Sequence, residues 1–182
     1  MKKLLVVVDY QNDFVDGALG FPGAELLDSR IAGKIAKYRD GGYDVVYTFD
    51  THYANYLETQ EGVRLPVTHT VLGTEGWKLY GEVGRLESHD ERRFLKSAFG
   101  SIELGEYLCN RDYDEIELCG LVSYMCVISN AVIAKAALPE ARILVDASAL
   151  AGPDPELNAK ALDVMAAMQM DVINRDFETE AD

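Results

Sequence analysis

The segment LLVVVD, residues 4–9, decides the fold class, because five consecutive apolar residues end abruptly at an acidic one. An apolar run of this length is typical of a strand that is buried on both faces of a parallel sheet. The candidate strands of the predicted sheet are distributed over the whole chain. Five further candidate strands follow at residues 44–49, 93–95, 115–119, 142–145 and 170–173.

Helical patterns separate these strands. Residues 26–39 place apolar side chains at every third or fourth position, and residues 123–138 are apolar almost all round, which predicts a buried helix. Asp154 followed by Pro155 predicts the capped start of a third helix. Strands that alternate with helices require crossover connections. We therefore predict an α/β fold, a parallel sheet with helices on both faces, in one domain that spans residues 1–182.

The composition excludes several functional classes. The chain has 182 residues, of which 48% are hydrophobic and 26% are charged, and this balance excludes a disordered or fibrous protein. Its 31 acidic and 17 basic side chains give a net charge of −14, which disfavours nucleic acid as a partner because phosphate binding needs a basic surface. The opening apolar run is too short for a signal peptide or a membrane span, and the three cysteines are an odd number. We expect a cytoplasmic protein without a disulfide framework or a membrane partner.

Polar residues at the ends of the predicted strands are the candidates for a site, since ligands bind beyond the carboxyl ends of parallel strands. An aspartate in such a position is also an ordinary turn former. An acid, a base and a thiol on one rim of the sheet nevertheless point to catalysis. The residues concerned are Asp9, Asp50, Lys96, Asp146 and, one short turn beyond its strand, Cys126.

Cys126 is the candidate nucleophile. In the segment GLVSYMCV, residues 120–127, we expect Ser123 to cap the following helix and to place Cys126 in its first turn. The helix dipole would then lower the pKa of the thiol, and the free N–H groups of that turn would hold an oxyanion. We expect the other two cysteines, Cys109 and Cys119, to fill the core.

The histidines suggest a metal site. His52 follows Asp50 by two residues, and His69 lies further along a segment without clear periodicity, residues 51–91. This set suits a divalent metal such as zinc, iron or manganese, with Glu61 as a fourth or outer ligand and positions left open for water or substrate. We interpret His89, which lies in a charged run, as a surface residue. A loop-rich insertion of this size is typical of a functional segment.

With two histidines assigned to the metal, the base for Cys126 would be Asp9, with Lys96 beside it. A carboxylate next to a buried ammonium stays charged and is able to take the proton of a neighbouring thiol. The alternative for Lys96 is a structural salt bridge at the rim of the sheet.

Taken together, these residues resemble the isochorismatase-like cysteine hydrolases, and within that family the nicotinamidase group. The resemblance extends from Leu4 to about Arg175 and rests on the joint order of several short motifs. These are VVDYQNDF at 7–14, DTH at 50–52, His69 before GTEGW at 73–77, KSAF at 96–99, and the turn at 120–127.

The resemblance implies a three-layer α/β/α fold with a six-stranded, mainly parallel sheet. It implies a catalytic triad of Cys126, Asp9 and Lys96, a cis peptide bond that joins Leu121 to Val122, and an oxyanion hole formed by the N–H groups of Val122 and Cys126. Because isochorismatases proper lack the cysteine nucleophile, vinyl-ether hydrolysis is disfavoured.

In nicotinamidases a metal ion binds the pyridine nitrogen of the substrate, so the resemblance gives that role to Asp50, His52 and His69, with Glu61 as a possible further ligand. We expect the metal to be zinc, with iron and manganese as alternatives. Phe14 and Phe99 stand at positions of aromatic residues that hold the ring. Two departures bear on the substrate. Leu65 stands where some relatives have a third aromatic residue, and residues 123–125 read Ser-Tyr-Met where nicotinamidases commonly have a threonine, an acidic residue and a tyrosine.

The expected function is therefore hydrolysis of a small amide, with nicotinamide giving nicotinate and ammonia. Relatives are often dimers or tetramers, which implies a homo-oligomer. Two alternatives stay open. One is an amidase of the same family that acts on an N-carbamoyl or ureido compound and does not need the metal. The other is a non-enzymatic member that binds a small ligand or a partner.

Overall fold

The computed structural model describes residues 1–175, and its centre is a sheet of six parallel strands. The order across the sheet is β3-β2-β1-β4-β5-β6, so the direction of winding reverses between β1 and β4. Each strand coincides with a predicted one, which confirms the α/β class. The strands are β1 (Lys3–Val8), β2 (Asp44–Asp50), β3 (Arg92–Lys96), β4 (Glu115–Leu121), β5 (Arg142–Ala151) and β6 (Asp171–Ile173).

Seven α-helices connect the strands within the described residues. The three predicted helices are present, and Asp154 caps the last of them, since its Oδ1 accepts hydrogen bonds from the N–H groups of Glu156 and Leu157. Short turns of other helical types lie at Ala24–Leu27, Tyr56–Glu58 and Ser123–Val127. The helices are α1 (Asn12–Val15), α2 (Asp28–Asp40), α3 (Gln60–Arg64), α4 (Gly81–Leu86), α5 (Ile102–Cys109), α6 (Ile128–Ala137) and α7 (Pro155–Ala167).

Two hydrophobic clusters lie on opposite faces of the sheet. In β1, Leu4 and Val6 belong to the cluster that packs on α5, α6 and α7, while Leu5 and Val7 belong to the cluster that packs on α2. This alternation confirms the three-layer arrangement, because successive side chains of a strand point to opposite faces. No helix within residues 1–175 combines the length and the apolar character that crossing a lipid bilayer requires.

Two predictions about single residues were wrong. β5 continues past Val145 to Ala151, so Asp146 lies inside the strand and not at its end. Its carboxylate contacts Lys34 of α2, on the face away from Cys126. Cys109, expected in the core, is exposed at the end of α5, whereas Cys119 is fully buried as expected.

Lys34 joins α2 to the middle of the sheet. Its Nζ lies 2.6 Å from Glu117 Oε1 in β4 and also contacts Asp146 Oδ2 in β5. The hydroxyl of Tyr38, one turn further along α2, donates a 2.7 Å hydrogen bond to Glu117 Oε2. A single ammonium group therefore lies between two carboxylates that are both buried beneath the helix, and it balances one of their two charges.

We expect Lys34→Met to lower the free energy of unfolding by about 3 kcal/mol, because it leaves two buried carboxylates without a counter-charge. Urea denaturation followed by circular dichroism measures this change. Lys37→Met, which removes an exposed lysine of the same helix, is the matched control and should have little effect. Equal stabilities of the two variants would contradict a structural role for the Lys34 cluster.

Candidate active site

The carboxyl ends of four neighbouring strands converge on one site. Asp9 follows β1 directly, Asp50 and Lys96 are the last residues of β2 and β3, and Cys126 lies in the turn after β4. The register of the sheet pairs Asp50 with Lys96, and the winding of the chain reverses between β1 and β4. Open parallel sheets bind their ligands at such a reversal.

Lys96 connects these side chains. Its Nζ lies 2.6 Å from Asp9 Oδ2, 3.2 Å from Asp50 Oδ1 and 3.4 Å from Cys126 Sγ. The same ammonium group donates a 3.0 Å hydrogen bond to the carbonyl oxygen of Ala98. The acid, the base and the thiol that the sequence places on one rim are therefore in direct contact.

The pKa of the Cys126 thiol differs from the prediction. Only 7% of the residue is exposed, and this burial raises its pKa well above the ordinary value, with a further increase from the carboxylate of Asp9. The positive charge of Lys96 opposes these effects without outweighing them. The predicted lowering of the pKa by a helix dipole was therefore wrong, because burial raises the pKa of this thiol.

The predicted cap was wrong as well. Val122, not Ser123, precedes the helical turn, which is a wide π-type turn, and no side chain caps it. The hydroxyl of Ser123 is buried and has no hydrogen-bond partner within the described part of the chain. The implied cis peptide bond between Leu121 and Val122 is confirmed.

Asp9 is poised to exchange a proton. Complete burial raises the pKa of its carboxyl group, while the charge of Lys96 acts in the opposite direction. Thr48 of β2 donates a 2.7 Å hydrogen bond to Asp9 Oδ1 and so fixes the orientation of the carboxylate. A raised pKa makes Asp9 a better proton acceptor, and the neighbouring carboxylates and thiol raise the pKa of Lys96 so that it stays charged.

A second cluster of side chains has the donor set of a metal site. One donor atom from each of Asp50, His52 and His69 lies within 4.8 Å of the other two. Oε1 of Glu61 is 3.7 Å from His52 Nε2 and 3.8 Å from His69 Nε2. Asp50, His52 and His69 are all buried, and Glu61 approaches them from α3.

The hydrogen bonds around this cluster fit a divalent cation. His69 Nδ1 donates a 2.7 Å hydrogen bond to the carbonyl oxygen of Val67, which leaves the lone pair on its Nε2 facing the cluster. His52 Nε2 is buried and has no hydrogen-bond partner among residues 1–175, although it lies 3.0 Å from Asp50 Oδ2. Burial alone would raise the pKa of Asp50, but His52 and Lys96 lower it to about 2, so its carboxylate is charged.

A cavity of about 580 Å³ opens beside both clusters. Leu65 and Phe99 line it, and Phe99 is 42% exposed. Phe14 is not among the lining residues, but its ring packs against that of His69 with 5.6 Å between the centroids. Of the predicted ring-binding residues, two therefore line the cavity and the third supports a histidine of the metal cluster.

Sequence reasoning missed a buried residue that links the parts of the site. Asn130 of α6 donates hydrogen bonds to the carbonyl oxygens of Cys126 (2.8 Å) and Phe99 (3.1 Å), and its Oδ1 accepts one from Ser101 N (2.9 Å). It fixes the loop after β3 against the turn that carries Cys126. Its only trace in the sequence is an amide side chain within a mostly apolar helix.

The backbone is strained at the same place. Asp9 and Thr70 adopt left-handed conformations with φ of 45° and 42°, which cost on the order of 1–3 kcal/mol each for residues other than glycine. Thr70 donates a 2.7 Å hydrogen bond to Asp50 Oδ2. Both strained residues therefore hold or orient a carboxylate of the site.

Comparison with known proteins finds the same family through a family model and through a relative of similar sequence. Residues 3–176 match the family model described as the isochorismatase domain. An uncharacterized isochorismatase family protein, PncA of Bacillus subtilis, is 33% identical over 174 residues, which are 89% of this chain and 93% of that protein.

Two solved structures have the same architecture. The nicotinamidase/pyrazinamidase PncA of Bacillus subtilis superposes with a TM-score of 0.84 at 29% identity, over 94% of this chain and 99% of that one. The N-carbamoylsarcosine amidase of Thermoplasma acidophilum superposes with a TM-score of 0.78 at 28% identity, over 99% of each chain.

Gly120 lets β1 and β4 approach each other where the site forms. Its φ is 119°, and a Cβ atom at this position would lie 2.0 Å from the carbonyl oxygen of Val8. We expect Gly120→Ala to lower the free energy of unfolding by about 3 kcal/mol, since the new methyl group meets backbone and the conformation disfavours any side chain.

Gly33→Ala is the control for this substitution, because Gly33 lies in α2 with open space around it. There we expect a gain of about 1 kcal/mol from helix propensity. Urea denaturation of both variants measures the difference. If the two variants were equally stable, the close approach of β1 and β4 at Gly120 would not require a glycine.

Proposed function

The chain belongs to the isochorismatase family, and on this basis we propose that it is an amide hydrolase with Cys126 as its nucleophile and nicotinamide as its substrate. The products are nicotinate and ammonia. One observation carries the proposal: the ammonium group of Lys96 lies 2.6 Å from the carboxylate of Asp9 and 3.4 Å from the thiol of Cys126. A buried acid, base and thiol in contact supply the groups that nucleophilic amide cleavage requires.

In the first half of the reaction, Asp9 takes the proton of the thiol as Sγ bonds to the carbonyl carbon of the amide. The high pKa of the buried thiol means that this proton leaves only as the new bond forms, so no thiolate has to persist in the free protein. Asp9 then donates the proton to the amide nitrogen. The carbon–nitrogen bond breaks, ammonia leaves, and a thioester remains on Cys126.

In the second half, Asp9 takes a proton from a water molecule that attacks the thioester carbonyl. The carbon–sulfur bond breaks, and Asp9 returns the proton to the sulfur. The carboxylic acid that forms loses its own proton to solvent and leaves as the carboxylate. Asp9 and Cys126 are then in their starting protonation states.

The charge that develops on the carbonyl oxygen needs donors. We assign this role to the N–H groups of Val122 and Cys126, in the turn that begins at the cis peptide bond. A donor of this kind contributes about 3–4 kcal/mol to stabilisation of the transition state. Lys96, held between two carboxylates, adds a positive charge close to the sulfur.

Asp50, His52 and His69, with Glu61 beside them, would hold a divalent metal, for which we propose zinc. The ion would supply a Lewis acid that binds and orients the pyridine nitrogen. Phe99 and Leu65 line the cavity next to this cluster and would pack against the ring. Orientation of a small planar substrate from two sides lowers the entropic cost of reaching the transition state.

The likeness to N-carbamoylsarcosine amidase, at 28% identity over 99% of each chain, favours a second candidate function. In this second function, Cys126, Asp9 and Lys96 would cleave an N-carbamoyl compound, and the metal cluster would take no part. Leu65, which replaces an aromatic residue, is equally compatible with a substrate that has no ring.

We expect Cys126→Ala to lower kcat/KM for nicotinamide by at least about 10,000-fold, since the sulfur forms the covalent intermediate. Ammonia release measures the rate, and circular dichroism checks that the variant is folded. Cys109→Ala, which removes an exposed thiol, should retain full activity. Substantial ammonia release by Cys126→Ala would rule out this nucleophile.

We expect His69→Ala to weaken Zn²⁺ binding by more than about 10-fold, because the variant loses a buried imidazole ligand. Titration calorimetry with Zn²⁺ measures the affinity independently of catalysis. His89→Ala removes an exposed histidine and is the matched control. If both variants bind Zn²⁺ as the wild type does, the metal site lies elsewhere.

Chelation distinguishes the two candidate functions. Nicotinamide hydrolysis that stops with a chelator and returns with Zn²⁺ supports the nicotinamidase assignment. Hydrolysis of an N-carbamoyl amino acid that continues in the chelator supports the second candidate.

A further inference from the structure

Thr70 connects the members of the metal cluster without supplying a ligand to it. It is fully buried, and it follows His69 directly in the chain. Its hydroxyl donates a 2.7 Å hydrogen bond to Asp50 Oδ2, and its carbonyl oxygen accepts a 3.0 Å hydrogen bond from the N–H group of His52. One residue is therefore bonded to Asp50 and His52 and is the chain neighbour of His69.

The carboxylate of Asp50 is held at both of its oxygens. Lys96 Nζ lies 3.2 Å from Oδ1, and the Thr70 hydroxyl bonds to Oδ2. Oδ2 is also the oxygen that lies 3.0 Å from His52 Nε2 and 3.5 Å from His69 Nε2. Rotation of the carboxylate away from the two histidines would break buried hydrogen bonds, which is costly because no water replaces them.

The backbone conformation of Thr70 is unusual for a threonine. Its φ of 42° lies in the left-handed region, where a β-branched residue is an outlier and glycine or asparagine is the ordinary choice. Strain of this kind persists only where the surrounding structure imposes it, often at functional sites. Neither glycine nor asparagine carries a hydroxyl group, so the strained threonine points to a role for its hydroxyl.

Asp13 holds Thr70 in this conformation. Its Oδ2 accepts a 2.7 Å hydrogen bond from the N–H group of Thr70, and its Oδ1 accepts one of 3.2 Å from Ala18 N. The N–H group of Asp13 in turn donates a 3.0 Å hydrogen bond to the carbonyl oxygen of Gly76. The position of the Thr70 hydroxyl is therefore set by segments that contribute no ligand to the metal cluster.

We propose that Thr70 is a positioning residue, which fixes Asp50 Oδ2 toward His52 and His69 and thereby raises the affinity of the cluster for a divalent metal ion. The inference rests on the metal site of the proposed function and adds a residue that acts through Asp50. A carboxylate that is already ordered loses less conformational freedom when it binds. Removal of the hydrogen-bond partner of a metal ligand lowers metal affinity by about 10- to 100-fold in general.

Titration calorimetry with Zn²⁺ tests this role without reference to catalysis. Thr70→Val removes the hydroxyl and keeps the branched shape, so it meets the same backbone strain, and we expect it to weaken Zn²⁺ binding by about 10-fold or more. Thr70→Ser keeps the hydroxyl and should retain most of the affinity. Thr74→Val is the matched control, because it removes an exposed hydroxyl of the same loop that bonds to the carbonyl oxygen of Val71. It should bind Zn²⁺ as the wild type does.

Urea denaturation in the presence of a chelator separates this role from a structural one. It measures how much stability each variant loses when no metal is bound. A Thr70→Val variant that is less stable but binds Zn²⁺ with the affinity of the wild type would show that the hydroxyl serves the fold alone. Thr70→Ala removes the same hydroxyl without a branched replacement, and it provides the same comparison if Thr70→Val does not fold.

The outcomes for this inference and for the proposed function are distinct. Weak Zn²⁺ binding by Thr70→Val, with near wild-type binding by Thr70→Ser and Thr74→Val, supports the inference. Equal affinities of Thr70→Val and the wild type, an equal loss in Thr70→Ser, or a wild type that binds no Zn²⁺ would overturn it. Ammonia release from nicotinamide by the wild type tests the proposed function separately, since a wild type that binds Zn²⁺ through this cluster but releases no ammonia contradicts only the assigned reaction.

Discussion

The buried ammonium group of Lys96 is the interaction on which the site depends. It ends β3 and contacts carboxylates that follow or end β1 and β2, and a thiol beyond β4. Without it, two carboxylates would face each other out of water, which is strongly unfavourable. The same charge therefore holds four strand ends together and partly offsets the rise in the pKa values of the acid and the thiol that burial causes. The stability of the site and the chemistry that we propose for it therefore both depend on the ammonium group of Lys96.

Much of this was predictable from the sequence. The apolar runs predicted β1 and β4 because strands buried on both faces have little freedom in composition, whereas the edge strands β3 and β6 are partly exposed and left a weaker pattern. Asp9, Asp50 and Lys96 converge because polar residues at the carboxyl ends of parallel strands meet at one edge. The short helices α1, α3 and α4 could not be predicted, since four to six residues do not establish a period.

The failures share a physical cause, which is burial by distant parts of the chain. The pKa of Cys126 is raised because neighbouring elements exclude water from the thiol, and no local pattern reports that exclusion. Asp146 was expected at the rim because β5 was expected to end at Val145, yet Lys34 of α2 stabilises its carboxylate within the strand. Asn130 was missed because its role depends on hydrogen bonds that join its own helix to the loop after β3 and to the turn that carries Cys126.

The low exposure of Cys126 has a consequence for the durability of the protein. Peroxide and alkylating reagents attack thiolates far faster than thiols, and the burial that raises the pKa of the Cys126 thiol also limits their access to it. Oxidative damage should therefore reach exposed Cys109 first. If Cys126 is the nucleophile that we propose, its burial also reduces the rate at which it is oxidised between turnovers.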